Sequence, residues 1–219
     1  MKPVIILLTY ARTEYALRTI TAAAKNLICA EGFQWYIADD GSNQEHIDAV
    51  LERCKSLELD VMGWHTIRES PSYGKSANMA WHAAHNVTDV TLFLEDDWEL
   101  QQPLQLDNYI KCLTEQQDVG MIRMGYLNLN MRGVAVGYNG SLFWKLDRDC
   151  DSYVFTGHPS LRHRRFREDY GAYPEGLAPG MTELGYATQF RFAKGCNILY
   201  PAAFGEGNHI FAHIGKDKG

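Results

Sequence analysis

Glu95, Asp96 and Asp97 stand in a row directly after the apolar run Val90–Leu94, in "VTLFLEDDWEL", with Glu99 close behind and no basic residue among them. A buried strand has no use for such a knot of negative charge unless something positive sits at its tip. Adjacent aspartates supply hard oxygen ligands for Mg2+ or Mn2+. A second acidic pair, Asp39 and Asp40, heads "DDGS", and Thr9, Tyr10 and Arg12 follow the apolar run at the N-terminus. A carboxylate accepts a hydrogen bond from the ring N–H of a uracil or guanine. Together these residues suit a guest that carries a base, a phosphate group and a divalent cation.

Such residues must be held at one edge by regular elements. The first half alternates short apolar runs with amphipathic helical patterns, the mark of a parallel sheet with crossover helices. Strands are expected at Val4–Leu8, Phe33–Ala38, Val61–Ile67 and Val90–Leu94. Leu17, Ile20, Ala24, Leu27 and Ile28 share a helical face after an N-cap at Thr13, and Ser42 with Glu45 forms a capping-box pattern before Ile47, Val50, Leu51 and Cys54. Ala77, Ala80, Trp81 and Ala84 give a third helix, and Leu106, Tyr109, Ile110 and Leu113 a fourth, ahead of a strand in "VGMIRMGY". Asn139-Gly140 predicts a hairpin, and a last helix runs from about Thr182 to Lys194, turning Tyr186, Ala187, Phe190 and Ala193 inward and stopping at Gly195. The expectation is a single α/β domain over residues 1–219, with a nucleotide-binding half (1–100) and an irregular second half (101–219). In open α/β sheets ligands sit beyond the carboxyl ends of the strands, where all the acids above are placed.

Composition narrows the partners. Lysine and arginine number 21 against 27 acids, a formal charge of −6, which argues against general binding of nucleic acid or anionic membranes. The five cysteines are scattered and never form a C-x-x-C pair, so neither a disulfide scaffold nor a zinc site is indicated, and a reducing, cytoplasmic compartment is expected. No apolar run is long enough for a signal peptide or a transmembrane segment.

At this point the residues resemble a known family, the family 2 type of glycosyltransferases with the GT-A fold. "VIILLTYARTEY" looks like its first strand and turn, "IADDGS" like its D-D-x-S segment and "FLEDDW" like its metal-holding D-x-D or E-D-D element. The likeness continues, in the family's order, through "GKSANMAWHAA", "FTGHPSLRHRRF", "YPEGLAPGMTELGYATQFRFAKGCNILYP" and the closing "HIG". The resemblance implies an inverting transfer of a sugar from a nucleotide-sugar donor, with UDP favoured, to a hydroxyl acceptor, assisted by Mn2+ or Mg2+. Asp40 would accept from the uracil ring, with Thr9, Tyr10 and Arg12 beside the nucleotide. Asp96 would lie near ribose and metal, Asp97 would ligate the metal, and His213 would close the metal site. Lys75 could pair with the diphosphate and Asn78 touch the nucleotide. Glu183, in "GMTELGY" just inside the late helix, would be the base, where the helix N-terminus favours its ionised form. Leu184 follows where the family often has Asp, and the Glu168–Asp169 pair of "REDY" contains the E-D pair literally, but it ranks second because no comparable helix, Gly195 stop and strand follow it.

Several patterns have plainer readings. "GKS" at Gly74–Ser76 is not a P-loop, because position 69 is Glu69 rather than glycine. His209 and His213 in "HIFAH" lack the glutamate of a metalloprotease. "RHRRFR" at Arg162–Arg167 is either a solvated basic face or a contact for an anionic acceptor or the donor phosphates. A sugar-phosphate nucleotidyltransferase is the alternative enzyme, although "TYARTEY" lacks the glycine-rich turn of that class. A non-catalytic nucleotide- or sugar-binding module is the other alternative, with Trp64, Trp98, Trp144 and Tyr138 available for stacking. The acceptor, whether glycan, lipid-linked sugar, small molecule or protein, is not legible.

Overall fold

Val4 to Leu8 are all buried, so this run is a strand covered on both faces rather than an alternating, half-wet one. A computed structural model describes residues 2–127, 131–204 and 209–215. In chain order the first half comprises β1 (Val4–Thr9), α1 (Thr13–Asn26), β2 (Leu27–Ile28), β3 (Gln34–Asp39), α2 (Gln44–Ser56), β4 (Val61–Thr66), α3 (Tyr73–His85) and β5 (Val90–Glu95). It continues with β6 (Trp98–Leu100), β7 (Leu104–Gln105), α4 (Asp107–Glu115), β8 (Val119–Arg123), β9 (Gly133–Tyr138) and β10 (Ser141–Leu146). β11 (Ser160–His163), α5 (Arg164–Tyr170), α6 (Pro179–Phe192), β12 (Asn197–Pro201) and β13 (Phe211–His213) follow.

Nine strands form one sheet in the order β4-β3-β1-β5-β11-β8-β12-β10-β9. Tracing the pairings across it, β4, β3, β1, β5, β8, β12 and β9 share one direction, and only β11 and β10 oppose it. The sheet is therefore mostly parallel. Strand order reverses at β1, which lies between β3 and β5, and this opens a crevice beyond their carboxyl ends. Register puts Thr9 opposite Asp39 and Leu8 opposite Glu95, so the ends of all three strands are level. A separate ribbon pairs β13 with β6 and sets His213 opposite Trp98. The last described segment is thus laid against the acidic turn after β5.

Helices cover the sheet. Ala77, Ala80, Trp81 and Ala84 of α3 are buried as their spacing requires, and Trp81 meets Phe93 of β5 edge-on at 5.2 Å. A fully buried side chain of this size contributes about 1.5–3 kcal/mol. The Asn139-Gly140 hairpin forms, with Tyr138 opposite Ser141. Among the described residues no helix is long and apolar enough to cross a membrane. All five cysteines are free.

Several boundaries differ from expectation. Arg12 holds the cap position of α1, while Thr13 is its first helical residue and bonds to His46 Nδ1 at 2.9 Å. Leu27 and Ile28 leave that helix to pair with β7, and its buried stripe is Ala16, Thr19, Ile20 and Ala23. Asn43, not Ser42, caps α2 by accepting from His46 N, because Ser42 is already tied to Asp39. α6 begins at Pro179, a residue suited to the first helical position, and ends at Phe192. Gly195 does not stop it; an added Cβ there would press on Asp169 and the Tyr170 hydroxyl at 2.8 Å. The run "RHRRFR" is no solvated face. Arg162 is fully buried on β11, its guanidinium 3.9 Å from the Phe93 ring centroid, and Arg165 donates to the carbonyls of Leu113 and Val119.

Candidate active site

The turn after β5 is anchored before it is charged. Thr19 Oγ1 donates to the Asp96 carbonyl at 2.8 Å and Ile214 N to the Asp97 carbonyl at 2.9 Å, so the backbone is fixed from both ends of the chain. Asp96 is wholly buried and its carboxylate is committed. It accepts from Thr9 Oγ1 at 2.9 Å and Tyr10 N at 3.0 Å, and it pairs with the Arg12 guanidinium. Burial pushes its carboxyl up to about 6 although Arg12 and these donors pull it back. Asp97 faces the crevice instead. Its Oδ2 accepts from Arg12 and lies 3.1 Å from His213 Nε2, while its Oδ1 is buried without a partner. The His213 ring stacks on Trp98 at 4.8 Å and 12°, which fixes its plane. His209 meets Tyr126 edge-on instead.

The two aspartates after β3 divide in the same way. Asp39 is buried and holds the turn, accepting from Gly41 N at 3.0 Å, Ser42 N at 2.9 Å, Thr66 Oγ1 at 2.5 Å and the Ser42 hydroxyl. Gly41 adopts φ +100, and an added Cβ would meet the Ile67 carbonyl at 2.7 Å, so the turn needs glycine. Asp40 lines the crevice with Oδ1 unpartnered. Burial raises its carboxyl to about 6, against a backbone hydrogen bond from Ser72.

Glu183 comes from the opposite wall. Because α6 starts at Pro179, Glu183 lies a full turn inside the helix, where the N-terminal dipole has faded. Burial raises its carboxyl, and two groups partly offset that push: Gly157 N donates to its Oε1, and the fully buried Arg123 lies near. Glu95, at the end of β5, lies close to Glu183. Burial, then Glu183 and Asp97, push its carboxyl up to about 8. A Cβ on Gly157 would collide with Glu95 Oε1 and with the Tyr73 hydroxyl, so glycine is what lets one backbone amide reach between two carboxyls. Gly157→Ala is expected to cost about 1–3 kcal/mol of stability by overpacking. A denaturant melt of the variant beside wild type checks it.

One cavity of about 570 Å³ joins these groups. Its lining includes Thr9, Tyr10, Arg12, Asp40, Glu95, Asp97, Glu183 and His213. Asp96 lies behind it rather than in it. Lys75 and Asn78 are not on its wall either: Lys75 Nζ donates to the Glu69 carbonyl at 3.0 Å. The Asn78 carboxamide clamps the segment before α6 through Tyr173 N at 2.9 Å, Tyr173 O at 3.0 Å and Glu175 at 2.8 Å. Asp169 caps Cys196 N at 2.7 Å and so is structural, and its neighbour Glu168 is an exposed residue of α5. Sequence reasoning missed the Glu95–Glu183 pair, Tyr73 and His158, which also line the cavity. The only signal was the "FTGHPS" stretch, whose glycine and histidine carried no assigned role. Among the described residues no three His, Cys, Asp or Glu side chains are set to hold a metal ion. The donor set still fits one, since Asp97 Oδ1 is a buried, unpartnered oxygen facing the cavity beside His213.

No family model and no curated protein matches the chain. Solved structures do match. Residues 1–349 of S. aureus TarS in complex with UDP-GlcNAc superpose with a TM-score of 0.63 at 18% identity, over 96% of this chain and 60% of that one. The GT-A fold is shared. GalNAc-T7 with UDP, GalNAc and Mn2+ gives a TM-score of 0.67 at 12% identity, over 92% of this chain and 42% of that one. The mannosyltransferase PcManGT from Pyrobaculum calidifontis, in complex with GDP-Man and Mn2+, gives 0.57 at 15%, over 95% and 59%. The chain therefore spans three fifths or less of these GT-A chains.

Proposed function

We propose that the chain transfers a sugar from a nucleotide-sugar donor, UDP-linked, to an acceptor hydroxyl with inversion at the anomeric carbon. The observation that carries this reading is the single cavity onto which Asp40, Asp97 and Glu183 open, from three separate parts of the fold. Asp40 Oδ1, buried and unpartnered, is an acceptor for a uracil ring N–H. Tyr10 and Arg12 flank the nucleotide. Asp97 and His213 would hold a divalent cation, which when bound supplies Lewis-acid neutralisation of the diphosphate. The nucleotide sugars and Mn2+ in the GT-A structures above support both halves of this set.

The acceptor oxygen attacks the anomeric carbon from the face opposite the diphosphate. The new C–O bond forms as the bond to phosphate oxygen breaks, and that electron pair leaves with the nucleoside diphosphate. Glu183 takes the hydroxyl proton, because an uncharged hydroxyl is a poor nucleophile. Both halves of the chain contribute: residues 1–100 supply the donor side and Asp97, and residues 101–219 supply the base and His213.

A thermal-shift panel of nucleotide sugars with and without Mn2+ tests this reading. A ligand at about 100 times its Kd adds about 2.7 kcal/mol, a rise of roughly 5–10 °C for a chain of this size. The rise should need Mn2+ and should vanish in Asp97→Asn. No shift with any nucleotide sugar, with or without Mn2+, removes the proposal.

A further inference from the structure

We propose that Arg12 exchanges places with the divalent cation: its guanidinium, which bridges Asp96 and Asp97, leaves Asp97 as the ion arrives and turns onto the donor's diphosphate. This rests on the reading of the cavity as a nucleotide-diphosphate site. Arg12 Nη1 sits on Asp97 Oδ2 and Nη2 on Asp96 Oδ1, so one planar fork spans both carboxylates. An ion bound at Asp97 and a guanidinium on the same carboxylate would repel each other at contact distance.

Exposure decides which partner moves. The Asp96 and Asp97 side chains are 0% and 7% exposed and their backbone is pinned, whereas the Arg12 side chain is 39% exposed and lines the cavity. Release strands neither acid. Asp96 keeps Thr9 Oγ1 and Tyr10 N, and Asp97 keeps His213. Arg12 also precedes the regular turns of α1 and follows Ala11 at φ +52, a left-handed conformation held by a hydrogen bond from Ala11 N to Ser42 Oγ at 2.8 Å. Arg12 lines the same cavity as Asp40, the base side, and Asp97, the cation side, so a diphosphate joining the two would pass beside it.

Mn2+ alone is the probe, titrated into the full chain with free ion read by electron paramagnetic resonance. Arg12→Gln is expected to tighten Mn2+ binding by about tenfold or more, since the competing cation is gone. Arg12→Lys, which keeps the charge but cannot span both acids, should tighten it less. Arg18→Gln, which removes a cation paired with Glu99 at 2.7 Å, should leave it within about twofold and so controls for net charge. At saturating Mn2+, UDP should bind Arg12→Gln at least about tenfold more weakly than wild type. Unchanged or weaker Mn2+ binding in both Arg12 variants overturns the exchange, as does unchanged UDP affinity. The transferase reading stands or falls separately. Both shifts without sugar transfer by wild type would keep the exchange and sink that reading; transfer with Mn2+ affinity unmoved would do the reverse.

Discussion

Glu183→Gln should lower sugar transfer by roughly 10²- to 10⁴-fold, the usual contribution of a positioned general base, while donor and Mn2+ binding stay close to wild type. The expectation follows from how two neighbouring carboxyls are placed. Burial, then Glu183, drives Glu95 up to about 8, so Glu95 carries its proton at neutral pH. Glu183 is also raised by burial, but the Gly157 amide and Arg123 work the other way, and it becomes the member of the pair that holds the negative charge. Environments that push two carboxyls apart assign the acid and base roles. The sign in pH is fixed by this. A base must be ionised, so transfer rises as pH climbs through the elevated pKa of Glu183, and the ascending limb should disappear in Glu183→Gln. A pH profile of kcat checks it beside a nucleotide-sugar titration. Full activity in the variant would take Glu183 out of the reaction.

The parts of this site that could be read in the sequence are those fixed by local pattern. The runs Val4–Leu8 and Val90–Leu94, the latter interrupted only by Thr91, fit covered strands, and the acids just past such strands lie at the crevice edge, where Asp40 and Asp97 face the cavity and Asp39 and Asp96 hold the turns behind it. The closing "HIG" singles out His213 by the resemblance, and the β13–β6 ribbon sets that residue beside Asp97. What escaped depends on partners distant in sequence. Nothing near Asn78 announces that its carboxamide is spent on Tyr173 and Glu175, nearly a hundred residues away. Nothing near Gly157 says that two carboxyls meet over it. Arg162 looked like part of a charged surface because composition cannot show that Phe93 and Tyr173 enclose it. β11 escaped for the same reason, as a four-residue strand with two basic residues at the middle of the sheet.

Asp39 and Asp40 are neighbours of the same type, and substituting them should have opposite consequences for stability. Asp39→Ala removes the acceptor of two backbone amides and two hydroxyls, leaving donors of the β3–α2 turn without partners in a buried place. The loss should be about 3–5 kcal/mol in urea unfolding at neutral pH. A loss below about 1 kcal/mol would mean that the turn holds without it. Asp40→Asn should stabilise. Its carboxyl is raised from an ordinary 3.8 to about 6, first by burial and then by the Asp39 charge, so the native state holds that proton more tightly than the unfolded chain. Stability is therefore lost as pH rises between those two values, fully so above about 6, and the amide escapes that loss. The gain should be present at about pH 7.5 and absent at about pH 3.5, with weaker UDP-sugar binding at the higher pH. Equal stability of Asp40→Asn and wild type at both pH values would show that the carboxylate is not strained by its burial. The case for a ring N–H waiting to be met there would then rest on the unpartnered Oδ1 alone.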